Sequence, residues 1–230
     1  MLSRHSDTAA LPFDPRLYVV LDPEHAGGHD LAALARLAAE GGAGLVQLRD
    51  KGPRAGPSLD LLRGLRHALL PFGIPCLVND RVDIALAGEA EGVHLGQEDL
   101  PVPEARRILG EKAIIGLTVR SLAEAAAAPL ELLDYVSIGG VFPTASKKRV
   151  DNPVGLAGLA AIAGAVLARR QLPLVAISGI TQERAPAVIG AGVDGIAVIT
   201  AVSEAEDPKA AAAALRARVD VALAARGKGR

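Results

Sequence analysis

Gln47, Arg49 and Lys51 occupy every second position of the segment GLVQLRDKG, residues 44–52. Alternate side chains of an extended chain share a face, so these three point one way while Val46 and Leu48 point the other. A guanidinium meets phosphate oxygens as a planar fork and an ammonium meets them as a point charge. Arg49 and Lys51, with Lys147 further along, therefore suit a polyanion. A lone loop cation is more often a solvated charge. That alternative is weaker for Arg49, because exposing it in mid-strand would turn Val46 and Leu48 the wrong way.

Asp80 and Asp99 follow two consecutive β-rich segments, PCLVND (75–80) and GVHLGQED (92–99). Magnesium is commonly held by one or two carboxylates completed by substrate phosphates and water. The two aspartates and a diphosphate would make such a shell. Asp80 could equally cap the helix of RVDIALAG, and Asp99 could serve a turn before Pro101. The five histidines offer no ligand spacing beyond His25 and His29 in one loop, read as chance. Thr144 and Ser146 stand beside Lys147 in VFPTASKK, while AISGI and GIAVIT carry Gly179 and Thr200. A glycine lets backbone approach a ligand closely, although Gly179 could simply make a tight turn. These groups suggest a second anion site. Two anion pockets and a magnesium site fit a transferase joining a diphosphate-bearing fragment to a phosphate-bearing one, and no Ser-His-Asp or Cys-His arrangement competes.

The elements that must position these groups alternate along the chain. Strand-like runs are RLYVVLD (16–22), GLVQLRD (44–50), PCLVND (75–80), GVHL (92–95), AIIGLTV (113–119), YVSIG (135–139), LPLVAIS (172–178) and GIAVIT (195–200). Segments of helical spacing or composition follow each, from DLAALARLAAE to the last, DPKAAAAALRARVDVALAA. Eight strand–helix units in 230 residues predict a single-domain α/β protein, a (β/α)8 TIM barrel over 15–226. Residues 1–14 and 227–230 read as a loose extension and a basic tail. A doubly wound open sheet is the alternative, but LDPEHAGGHD does not spell the dinucleotide fingerprint. In such a barrel reactive groups collect at the carboxyl ends of the strands, where Asn79, Gln97, Glu98, Thr118, Arg120, Lys148, Arg149 and Ser178 join those named above, with Thr200 ending the eighth strand.

Half of the residues are hydrophobic and only five are aromatic, so Leu, Val, Ile and Ala must build the core. A formal net charge of −1 gives no global field toward nucleic acid or an anionic membrane, so any cationic site is local. No uninterrupted apolar run is long enough to span a bilayer, and the amino-terminal segment lacks a signal-peptide core. The single cysteine, Cys76, excludes an internal disulfide and sits in apolar IPCLV as a buried thiol. These features predict a cytoplasmic protein acting on small molecules, with a homo-oligomer left open.

The ordered motifs QLRDK, ND at 79–80, GVHLGQEDL from 92, FPTASKK from 142, AISGI from 176 and GVDGIAVIT from 192 resemble the thiamine-phosphate synthase family. Each motif is weak alone; in order, from 47 to 200, they are specific. The resemblance implies a (β/α)8 enzyme that couples 4-amino-2-methyl-5-hydroxymethylpyrimidine diphosphate to a thiazole phosphate with Mg2+, passing through a pyrimidine methyl cation. It implies that Gln47, Arg49, Lys51, Asn79, Thr118 and Lys147 bind the pyrimidine diphosphate, with Arg49, Lys51 and Lys147 as catalytic cations. It implies that Asp80 and Asp99 hold the metal, and that Thr144, Ser146, Gly179, Ile199 and Thr200 hold the thiazole phosphate. The chain departs from the family's usual pattern with Thr118 for Ser, Arg120 for His, no proline after IGG, and Ser178 in place of a first glycine. The runner-up is a paralogous thiazole tautomerase, which relies on that His and tends to lose the Asp99 carboxylate. A non-catalytic regulator binding thiamine phosphates would leave Asp80 and Asp99 without a task.

Overall fold

The computed structural model describes residues 13–144 and 152–227. Eight parallel strands close into a barrel in sequence order, with β8 returning to pair with β1. The strands are β1 Leu17–Leu21, β2 Leu45–Leu48, β3 Cys76–Asn79, β4 Gly92–Leu95, β5 Ile114–Val119, β6 Tyr135–Ile138, β7 Leu174–Ile177 and β8 Gly195–Val198. Helices α1 Leu31–Glu40, α2 Ala55–Leu69, α3 Val82–Ala87, α4 Val102–Leu109, α5 Leu122–Ala127, α6 Gly155–Arg169 and α7 Ala185–Gly190 follow β1 to β7. A short α8, Thr200–Ser203, and a long α9, Pro208–Gly227, follow β8. The expected (β/α)8 architecture is thus present.

Local chemistry explains these elements. Asp30 caps α1 by accepting the Ala33 amide at 2.9 Å, and Leu31, Leu34, Ala35 and Ala38 form its buried stripe. Ser121 caps α5 through the Glu124 amide at 3.1 Å. The strands are short, apolar runs buried on both faces, as parallel strands under helices must be. Their outward side chains, Val46 and Leu48 among them, pack under the helices. Their inward side chains form a second core with Tyr18, Leu45, Leu77, Tyr135 and Val175. Gly116 leaves room for that filling, because a Cβ there would run into the Tyr135 ring.

Several expected boundaries move. β2 ends at Leu48, so Arg49 and Lys51 stand in the loop after the strand rather than within it. Thr200 does not end β8 but opens α8. Arg81, not Asp80, holds the N-cap position of α3, and it caps without a side-chain bond. Phe13 and Asp14, expected in a loose extension, are packed: Phe13 is buried against the Tyr135 ring at 5.5 Å, and Asp14 pairs with Arg16. Gly227 belongs to α9 instead of a tail.

Candidate active site

A cavity of about 470 Å³ opens at the carboxyl ends of the strands. Gln47, Arg49, Lys51, Asn79, Asp80, Asp99, Thr118, Thr144, Gly179, Ile199 and Thr200 all line it, as do Gln97, Glu98, Arg120 and Ser178. The structure therefore gathers every sequence-nominated group that falls on described residues into one space. Ser146, Lys147, Lys148 and Arg149 lie outside the described residues.

Gln47 is inward-facing on β2 as the alternation requires, and its amide nitrogen donates to the Tyr18 hydroxyl. One step further, the Arg49 guanidinium is ion-paired with Asp22, a carboxylate only 1 % exposed at the end of β1. Asp22 also accepts the Glu24 amide at 2.9 Å, so it is fixed from two sides and fixes Arg49 in turn. Lys51 is ion-paired with Asp80 at the end of the neighbouring strand β3. Asp80 has φ 63°, a left-handed conformation that Asp tolerates better than most residues and that excludes the helical-cap geometry. Asp99 accepts the Gly96 amide at 2.7 Å while lining the cavity, so its turn role and its site position coexist.

Asp80 and Asp99 are hydrogen-bonding neighbours. Burial works to raise both carboxyls. At Asp80 the hydrogen bond to Asp99 and the Lys51 ammonium outweigh burial and hold the group below its usual range. At Asp99 burial and the adjoining Asp80 charge push the group up. Two carboxylates so close resist carrying two negative charges without a cation. The described lining residues bear three cationic side chains, Arg49, Lys51 and Arg120, against four carboxylates, Asp80, Glu98, Asp99 and Glu124.

On the opposite side, the loop after β7 is drawn onto the loop after β6. Ser178 has φ 93°, accepts the Gly140 amide on its Oγ at 3.2 Å, and accepts the Phe142 amide on its carbonyl at 3.1 Å. Gly179 has φ 64°, and a Cβ there would strike the Pro143 carbonyl, so only glycine fits. Arg184 donates to the Gly179 carbonyl at 2.6 Å and stacks over Phe142, 4.6 Å from the ring centroid. The result is a tight backbone cradle facing Ile199 and Thr200.

Four contributors escaped the motif reading: Asp22, Tyr18, Tyr135 and His94. The signal was available in part, since Tyr18, Val20 and Asp22 alternate along β1, and Gly92 and His94 along β4. Burial pushes both phenols up, so they keep their protons.

The closed barrel with a cavity at the carboxyl ends of its strands is the architecture of (β/α)8-barrel enzymes that act on small molecules. Residues 17–202 match the family described as thiamine monophosphate synthase. A thiamine-phosphate synthase of Agrobacterium fabrum is 46% identical over 93% of this chain and 97% of that protein. One from Moorella thermoacetica is 44% identical over 92% and 98%. The solved thiamine phosphate pyrophosphorylase of Pyrococcus furiosus superposes with a TM-score of 0.81 at 38% identity, covering 93% of this chain and 99% of that one. The chain belongs to the thiamine monophosphate synthase family. No helix among the described residues is long and apolar enough to cross a membrane.

Proposed function

We propose that this barrel is a transferase that makes thiamine phosphate. The C–O bond of 4-amino-2-methyl-5-hydroxymethylpyrimidine diphosphate breaks, pyrophosphate leaves with the electron pair, and the thiazole nitrogen of the second substrate bonds to the freed methylene carbon. The observation that carries this reading is the convergence of Arg49, Lys51, Asp80 and Asp99 on one side of a cavity whose other side is the Gly179–Thr200 cradle.

Arg49, Lys51 and Lys147 stabilise the charge growing on the departing diphosphate, and Arg49 does so from a position already set by Asp22. Gln47, Asn79 and Thr118 bind the pyrimidine diphosphate alongside them. Thr144, Ser146, Gly179, Ile199 and Thr200 hold the thiazole phosphate, which lines its nitrogen up with the reacting carbon.

The residues present fit Mg2+. Asp80 and Asp99 supply an all-oxygen donor pair that repels its own second charge, and the described lining carries more carboxylates than cations. Among the described residues no third His, Cys, Asp or Glu groups with them; substrate phosphates and water would complete the shell. Asp80 and Asp99 would hold the ion, which when bound adds positive charge beside the leaving group. We place the protein in the cytoplasm, a compartment with which the buried free thiol of Cys76 is compatible.

The test is pyrophosphate release from the two substrates together, with and without Mg2+. Release that needs both substrates and the metal is expected. Release undiminished in excess chelator would remove the metal from the proposal, and none under any condition would favour a tautomerase or a binder.

A further inference from the structure

Five polar side chains form one continuous hydrogen-bonded chain across the floor of the cavity. The Gln47 amide nitrogen donates to Tyr18, the Tyr18 and Tyr135 hydroxyls meet at 3.0 Å, Tyr135 meets His94 Nδ1 at 2.7 Å, and His94 Nε2 meets Thr118 Oγ1 at 2.7 Å. The chain joins β2 to β5, and only its two ends, Gln47 and Thr118, are groups assigned above to substrate. Its middle is inside the barrel: Tyr18 is 1 % and Tyr135 0 % exposed. Such a row of buried hydroxyls is costly unless each is satisfied, and here no buried side-chain nitrogen or oxygen among the described residues lacks a partner.

A hydroxyl has one proton, so the direction of one bond fixes the next. With Gln47 donating, the Tyr18 proton goes to Tyr135, the Tyr135 proton goes to His94 Nδ1, and the imidazole carries its own proton on Nε2 toward Thr118. The Thr118 proton is then directed into the cavity, and the Gln47 amide oxygen is left facing the cavity as an acceptor. With a neutral imidazole and each buried hydroxyl proton used within the chain, reversing one bond reverses all of them, which would present an amide donor at Gln47 and an acceptor at Thr118.

We infer that Tyr135 and His94 are positioning residues that hold Gln47 as an acceptor and Thr118 as a donor at the same time, selecting a ligand with an N–H group over β2 and an anionic oxygen over β5. An aminopyrimidine bearing a diphosphate is a ligand of that chemistry, so the inference deepens the function proposed above and rests on it. A ring with a carbonyl in place of the exocyclic amine meets Gln47 with the wrong polarity.

Two measurements test it. The 15N shifts of His94, assigned by the signal lost in His94→Gln, report its tautomer in the ligand-free protein; the neutral Nε2–H form is expected, and the Nδ1–H form or a doubly protonated ring overturns the inference whether or not the protein proves active. Tyr135→Phe keeps the ring packing, breaks the chain at its centre and leaves the cavity wall untouched. It should raise KM for the pyrimidine diphosphate about tenfold, an energy typical of one buried hydrogen bond, with KM for the thiazole phosphate within twofold. An unchanged KM for the pyrimidine, or an equal rise for both substrates, overturns it. Should Tyr135→Phe fail to fold, the wild-type tautomer decides alone, and wild-type protein without activity counts against the proposed function and not against the chain's polarity.

Discussion

Asp99 illustrates what a side chain at the rim can do without supporting the fold. Its carboxyl touches Asp80 and the Gly96 amide and buries little apolar surface, so Asp99→Ala should lower turnover by at least an order of magnitude through lost transition-state stabilisation. The melting temperature should stay within a few degrees; turnover close to wild type would remove Asp99 from the site. Residues of this kind were legible because motif and barrel rule point to the same strand ends. Asp80 was legible as an acid at a strand end but not as a left-handed residue, since its φ follows from how the chain leaves β3 toward α3. Asp22, Tyr18, Tyr135 and His94 were not legible as site components. On strands buried on both faces, polar and apolar positions do not separate cleanly, so an inward Tyr reads like any core aromatic.

The loops after β6 and β7 form a coupled pair, and Ser178 joins them. A serine at φ 93° is strained, and the Gly140 amide bound to its hydroxyl offsets part of that strain. Ser178→Ala keeps the strain and loses the bond, whereas Ser178→Gly relieves the strain. Of the two variants, the glycine protein should unfold at the higher temperature, by differential scanning calorimetry; the opposite order would show that the backbone there is relaxed. Both should bind the thiazole phosphate more weakly, because each removes the side-chain tie between the two loops and leaves only their main-chain bonds. At this scale the sequence revealed existence better than extent. All eight strands were readable from Val, Ile and Leu runs, yet most were drawn too long, because residues such as Arg49 and Ser178 continue the strand-like residue pattern after the ladder ends.

Closure of the whole ring depends on its ends. Arg16, just before β1, donates to Asp14 at 2.9 Å and to Asp220 of α9 at 2.9 Å, while Arg216 of α9 pairs with Asp14 at 2.9 Å and donates to the Gly42 carbonyl at 2.8 Å. Burial by itself raises the Asp14 carboxyl, but the Arg16 hydrogen bonds and the Arg216 charge outweigh it and hold the group below its usual range. A carboxyl lowered in the folded state contributes stability above its unfolded pKa and loses it as pH falls through the folded value. Asp14→Asn should therefore lower the melting temperature at pH 7 and make no difference in acid strong enough to protonate Asp14 in the wild type. A deficit that persists unchanged in that acid would assign the loss to packing instead of charge.

The buried chain from Gln47 to Thr118 has one more implication. Tyr18 and His94 come from the first four staves, Tyr135 and Thr118 from the last four, and the bonds Tyr18–Tyr135, Tyr135–His94 and His94–Thr118 all span that divide. Severed between Gly110 and Glu111, the polypeptide would give two half-rings, one with Asp80 and Asp99 and the other with the Gly179–Thr200 cradle, the first leaving His94 and the second leaving Tyr135 and Thr118 without the partners they now share. Neither half is a miniature of the enzyme: the polarity inferred for that row exists only when the circle is complete.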